Sequence, residues 1–202
     1  MNLPADFAGP DMRTLFALFA PADDLPEYEP VMPDEVPPPY HGLLVHEHHM
    51  TVTVEAHHGS LVDVRVLARR SDGDSYARKI LLALQSNGRI VQFGIARVNL
   101  RYCSPAVRAE ILAARTPLGR ILIQHNVLRR IEPTAFLRVI PGPAMMEWFG
   151  LERRRPTYGR LAYIHCDEQP AIELLEIVAP EPEPGKVGVN TLGPMRKDVI
   201  EN

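Results

Sequence analysis

Asn87-Gly88 sits between two long runs rich in aliphatic and β-branched residues, 76–85 (YARKILLALQ) and 89–100 (RIVQFGIARVNL). That dipeptide accepts the positive φ of a tight turn, so the two runs read as the arms of one β-hairpin. Residues 61–67 (LVDVRVL) alternate apolar and polar and reach the first arm across Ser71-Asp72-Gly73-Asp74. Residues 161–165 and 171–179 pair across Asp167-Glu168-Gln169-Pro170. Residues 50–56 (MTVTVEA) also alternate and predict a strand, closed by the turn His57-His58-Gly59-Ser60. Successive hairpins with few helices between them predict an α+β fold: one largely antiparallel sheet with its helices gathered on one face.

The helices announce themselves by their caps. Ser104-Pro105 places a capping hydroxyl and a proline at the first helical position, predicting a helix over 105–114. Residues 118–125 (LGRILIQH) fit either a helix or a strand. Asp11 is a candidate N-cap for a short helix within 12–20 (MRTLFALFA). The rest of residues 1–40 is proline- and acid-rich and reads as an irregular arm. Residues 41–180 form the domain, and 181–202 read as a flexible tail of similar composition.

With 202 residues, 46% of them apolar, the chain can bury one core of ordinary size. A net charge of −3 gives no reason to expect a nucleic-acid partner. No apolar run has the length of a membrane span, and the N-terminus lacks a signal-peptide pattern. Cys103 and Cys166 match no metal or redox spacing, so reduced thiols in a cytoplasmic protein are expected. His46, His48, His49, His57 and His58 fit no metalloenzyme motif, and no metal is expected. Arg129-Arg130 and Arg153-Arg154-Arg155 read as solvated surface, and Trp148 as a packing residue.

Strand parity marks three charges on otherwise apolar faces. Glu176 shares a face with Ile172, Leu174 and Val178. Arg78 shares one with Tyr76, Ile80, Leu82 and Leu84, and Arg160 with Tyr158, Ala162 and Ile164. A buried carboxylate needs a cation, a donor or a proton. An arginine fork facing an enclosed space suits a bound carboxylate. Parity alone leaves three arrangements open: a ligand pocket, a structural Arg78–Glu176 ion pair, and exposure of the two arginines at strand ends.

These segments, in this order over roughly 43–180, resemble the chorismate lyases, which convert chorismate to 4-hydroxybenzoate and pyruvate. The resemblance rests on LLVHEHHMTVT (43–53), YARKILL (76–82), TPLGRIL (116–122), YGR (158–160) and LLEIVAP (174–180). It implies a single antiparallel sheet of about six strands, a small internal cavity closed by flap-like segments, and no cofactor. The resemblance also implies site roles. Arg78 and Glu176 fall on the ligand-binding pair, with Glu176 meeting the ring hydroxyl or moving its proton. Arg160 would join Arg78 on the substrate carboxylates, and Met50, Leu118 and Gly119 would line the pocket. One departure is plain: the arginine that the family carries after the matching glycine is here Ile95, and the nearest arginine is Arg97. The expected partner is chorismate or a similar aromatic-type acid, handled by a monomer or small homo-oligomer. The rival expectation is a non-catalytic binder of such acids on the same fold.

Overall fold

The alternating runs pair into one sheet. The structure, a computed structural model, describes residues 10–19, 25–127, 129–166 and 169–182. It contains seven strands: β1 Glu27–Val31, β2 Val62–Asp72, β3 Ser75–Leu84, β4 Ile90–Asn99, β5 Arg129–Ile140, β6 Thr157–Cys166 and β7 Gln169–Val178. Their spatial order is β1-β5-β6-β7-β4-β3-β2, and every neighbouring pair is antiparallel. The β3–β4 hairpin turns at Asn87-Gly88, with Gly88 at φ 73°. The β2–β3 turn closes one residue later than the sequence pattern suggested. Asp72 pairs with Ser75, and Gly73 takes φ 57°. The tail beyond 182, the first nine residues, and Asp167 and Glu168 of the last turn lie outside the described residues.

Two expectations are corrected. Residues 50–56 are not a strand but part of helix α3, Met50–His58, which Gly59 ends in a left-handed conformation at φ 61°. Seven residues are too few for a period of two to exclude one of 3.6. Met50 and Val54, four apart, are both buried, and the helix packs that stripe against its neighbours. The N-terminal arm is also not wholly irregular. After α1, Met12–Ala17, capped by Asp11 on the Thr14 N–H, it supplies the edge strand β1, which pairs with 136–140 of β5. β5 itself is hidden in the sequence by Pro133. That residue lies beyond the reach of β1 and beside a bulge, where a missing N–H costs nothing.

Four helices cover one face of the sheet: α2 Tyr40–Leu44, α3, α4 Pro105–Ala113 and α5 Leu118–Gln124. The ambiguous 118–125 segment is thus helical. Ser104 caps α4 by accepting from the Val107 N–H. The opposite face carries α1 and α6, Pro143–Phe149, a second cover beyond the one-sided arrangement expected. There Met12, Leu15, Phe16, Met145 and Phe149 pack on Leu81, Phe93, Ile95, Leu175 and Ile177. Trp148 stacks on Phe93 at 5.3 Å. No helix among the described residues is long and apolar enough to cross a membrane.

Where β6 and β7 meet, Gly159 admits no side chain. A Cβ there would lie 2.7 Å from the Glu176 carbonyl and 2.9 Å from the Ile177 side chain. Gly159→Ala should therefore destabilise the protein by about 1–3 kcal/mol or more, measured by urea denaturation.

Candidate ligand cavity

The site lies on the face covered by α2–α5. Reading across the sheet, Arg160 on β6 stands directly opposite Glu176 on β7, Glu176 opposite Gly94 on β4, and Gly94 in turn opposite Ile80 on β3. One row along, Arg78 pairs with Ala96. One row the other way, Gln92 lies between Leu82 and Val178.

Arg160 is fully buried, and its donors are engaged. Its Nε donates to Glu176 Oε2 at 2.7 Å. Its Nη1 donates to the carbonyls of Leu44 and His46, at 3.2 and 2.8 Å, and its Nη2 to that of His48 at 3.0 Å. The pair thus ties the β6–β7 ladder to the segment joining α2 to α3, which roofs the site. A buried ion pair offsets its desolvation only when the remaining donors are also bonded, and here they are. Of the arrangements that parity leaves open, the Arg78–Glu176 ion pair is not formed: Glu176 pairs with Arg160. Arg160, expected on the substrate carboxylates, instead stands behind Glu176 and is not among the residues that line the cavity, its nitrogens turned to Glu176 and to backbone carbonyls.

Arg78 is 2% exposed. Its Nη1 and Nη2 reach only the Thr116 carbonyl, both at a long 3.4 Å, and no carboxylate of the described residues pairs with it. Burial lowers its pKa, with Tyr76 opposing the shift. A guanidinium nevertheless keeps its charge in a protein. Arg78 is therefore a desolvated cation facing an enclosed space.

That space is a cavity of about 50 Å³. Arg78 and Glu176 both line it, together with Met50, Leu118 and Gly119. Met50 descends from the first turn of α3. Leu118 and Gly119 come from the first turn of α5, next to the Thr116 carbonyl that Arg78 holds. Gly119 permits close helix packing: a Cβ there would lie 3.0 Å from His49 and 3.1 Å from the Thr51 hydroxyl. Arg120 locks the same two helices by an ion pair with Glu55.

The sequence reading passed over Gln92. It is 3% exposed and lines the cavity, and its Oε1 has no partner among the described residues. An unsatisfied buried acceptor costs about 1–3 kcal/mol. The signal was present: along β4, Gln92 breaks the face shared by Gly94, Ala96 and Val98, as Arg78 breaks that of β3. Arg97 points to the other face, where it forks onto Glu173 at 2.6 Å. It does not replace the arginine missing at Ile95, whose side chain is in the opposite core.

His46 is held by backbone contacts on both ring nitrogens. His46 Nε2 lies 2.7 Å from the Leu43 carbonyl, and its Nδ1 accepts from the His48 N–H at 3.0 Å. Burial, then the Arg160 charge, holds its pKa below the usual value. Among the described residues no three potential metal ligands cluster.

No protein-family model and no curated protein matches the chain. Among solved structures it is similar to PhnF from Mycobacterium smegmatis, with a TM-score of 0.50 and 13% identity. That alignment covers 65% of this chain and 63% of PhnF, so the chain spans less than two thirds of that protein's length. It is also similar to the effector domain of the same protein (TM-score 0.46, 12% identity, 65% and 88% covered). A third likeness is to a Bordetella bronchiseptica domain described as the ligand-binding part of a GntR-family transcriptional regulator (0.45, 14%, 58% and 85%). At 13% identity the likeness to PhnF shows the fold alone: a single-sheet α+β domain of the chorismate lyase-like kind.

Two predictions follow from these contacts. Arg160→Met should cost about 3–5 kcal/mol, because it strands Glu176 and the carbonyls of His46 and His48. The double change Arg160→Met with Glu176→Leu should recover part of that loss in urea titrations. At the end of α3, His58 Nδ1 accepts from Arg89 at 3.2 Å, and burial, then Arg89, lowers its pKa to about 4. The unfolded chain takes up this proton near pH 6.5 and the folded chain only near 4. The stability contributed by neutral His58 should thus be complete above pH 6.5 and lost as pH falls to about 4. Thermal melts of His58→Gln should show a shallower slope across that window.

Proposed function

We propose that the cavity binds a small cyclic carboxylic acid, with the carboxylate on Arg78 and a ring hydroxyl on Glu176. The observation that carries this is the charge of Arg78, which is buried, faces the cavity and has no carboxylate partner among the described residues. An incoming carboxylate supplies the bidentate partner that a guanidinium fork prefers. Arg160 holds Glu176 Oε2 and leaves Oε1 to accept from the ligand. 4-Hydroxybenzoate has this layout, an anion at one end and a donor at the other. A cavity of about 50 Å³ is below the size of ordinary ligand pockets. Binding therefore requires side chains that line the cavity, Met50 and Leu118 among them, to shift and make room.

A second reading is catalysis of the chorismate lyase type. It is favoured by Arg78, Glu176, Met50, Leu118 and Gly119 lining one cavity. In that reaction the ether bond to the enolpyruvyl group breaks and the ring carbon bearing the hydroxyl loses its hydrogen as a proton. The ring becomes aromatic, and the departing enolpyruvate takes up a proton to become pyruvate. Aromatisation supplies the drive, so the site's task is to hold the reactant and stabilise charge on the leaving oxygen. Arg78 would hold a carboxylate, and Glu176 would accept from the ring hydroxyl. Because Arg160 is engaged, chorismate's second carboxylate meets no second cavity arginine. This is why the single-acid ligand is placed first.

Calorimetric titration with 4-hydroxybenzoate should show binding, and Arg78→Met should weaken it about 100-fold or more, the scale of a charge-assisted pair. The same variant should fold at least as stably, since it removes a desolvated charge. Incubation with chorismate, followed by 4-hydroxybenzoate absorbance, separates the two readings. Product formation establishes the lyase, and failure of both binding and turnover overturns both.

A further inference from the structure

We infer that Gln92 makes the cavity selective for acids carrying two adjacent hydroxyls opposite the carboxylate, as a vicinal dihydroxy ring acid does. This rests on the acid-binding reading above and specifies its ligand.

The cavity is chemically one-ended. Donors cluster where Arg78 stands. At the other end stand Glu176 Oε1, an acceptor left over when Arg160 takes Oε2, and the Gln92 amide, which carries a donor and an acceptor and whose oxygen has no partner among the described residues. These two residues are diagonal neighbours across β4 and β7, because Glu176 pairs with Gly94 and Gln92 with Val178. Diagonal neighbours on one sheet face lie about 7–8 Å apart at the backbone, within reach of two long side chains aimed at one ring edge. Gly94 stands between them with no side chain, and a Cβ there would already touch Ile80 at 3.5 Å. No side chain of β4 therefore stands between Glu176 and Gln92.

The protein offers Gln92 no donor of its own in its row, since Leu82 and Val178 flank it. A leucine would pack there without penalty, so a glutamine on this face makes chemical sense as a partner for something that enters. One hydroxyl satisfies Glu176. A second, on the neighbouring ring carbon, satisfies Gln92. An acid lacking it leaves the amide oxygen unpaired, and sites built to bond a hydroxyl reject analogues without one.

The test is calorimetry on the full chain with benzoate, 4-hydroxybenzoate and 3,4-dihydroxybenzoate. Affinity should rise along the series, the second hydroxyl adding about tenfold, the scale of one buried hydrogen bond. Gln92→Leu, and Gln92→Met as a second variant, should abolish that last step while leaving the step from benzoate to 4-hydroxybenzoate intact. Both variants should melt at a higher temperature than the parent. An unchanged last step in the variants, or no such step in the parent, overturns the role of Gln92 alone. If 4-hydroxybenzoate does not bind, or binds equally to Arg78→Met, the acid-binding reading falls and this inference with it.

Discussion

Arg160 adds a polar tie between two parts of the molecule that otherwise meet through apolar packing. Its Nε holds Glu176 across the β6–β7 ladder, and its terminal nitrogens hold the carbonyl that ends α2, of Leu44, and two carbonyls of the segment between α2 and α3, of His46 and His48. That segment is short and irregular, so its carbonyls have no helix or sheet to satisfy them. A single guanidinium in the right place does so and fixes the roof to the sheet. The carboxylate that balances its charge is the same one that lines the cavity. Roof, sheet and site therefore share one electrostatic anchor.

The cavity follows from what that anchor leaves over. If Arg78 had paired with Glu176, both charges would have been neutralised and the space between them closed. With Arg160 on Glu176, Arg78 keeps only two long contacts to Thr116. The result is a polarity in the site: a cation at one end and the Glu176 carboxylate and Gln92 amide at the other. Gly94 and Gly119 contribute by absence. The first puts no side chain between Glu176 and Gln92, and the second lets α5 close against α3 so that Leu118 and Met50 reach the same space. The opposite face of the sheet takes no part in this. It is a dry core, with Phe16, Phe93 and Trp148 stacked in sequence.

Much of the sheet was legible because hairpins are local. Asn87-Gly88 and Gly73 dictate their turns within a few residues, and alternation along 76–84 and 90–99 sets which side chains share a face. What failed was of a different kind. The 50–56 run has β-branched residues at alternate positions, yet α2 and α5 pack against it as a helix, and tertiary packing overrides weak local preference. β1 and β5 were invisible for the same reason in reverse. Proline and charge mask them, and they become strands only because each finds an edge to pair with.

By itself the sequence determined which residues face the covered side of the sheet, since alternation is geometric and independent of context. It therefore identified Arg78, Arg160 and Glu176 as charges that needed partners, and the same parity marks Gln92. Only the tertiary structure decided who partners whom. Parity says which face a side chain occupies but not which strand lies beside it. Placing β7 between β6 and β4 puts Glu176 opposite Arg160 and opposite the bare Gly94. Strand order, a long-range property with no local signal, thereby made one arginine a structural strut and left the other as a cation facing the cavity.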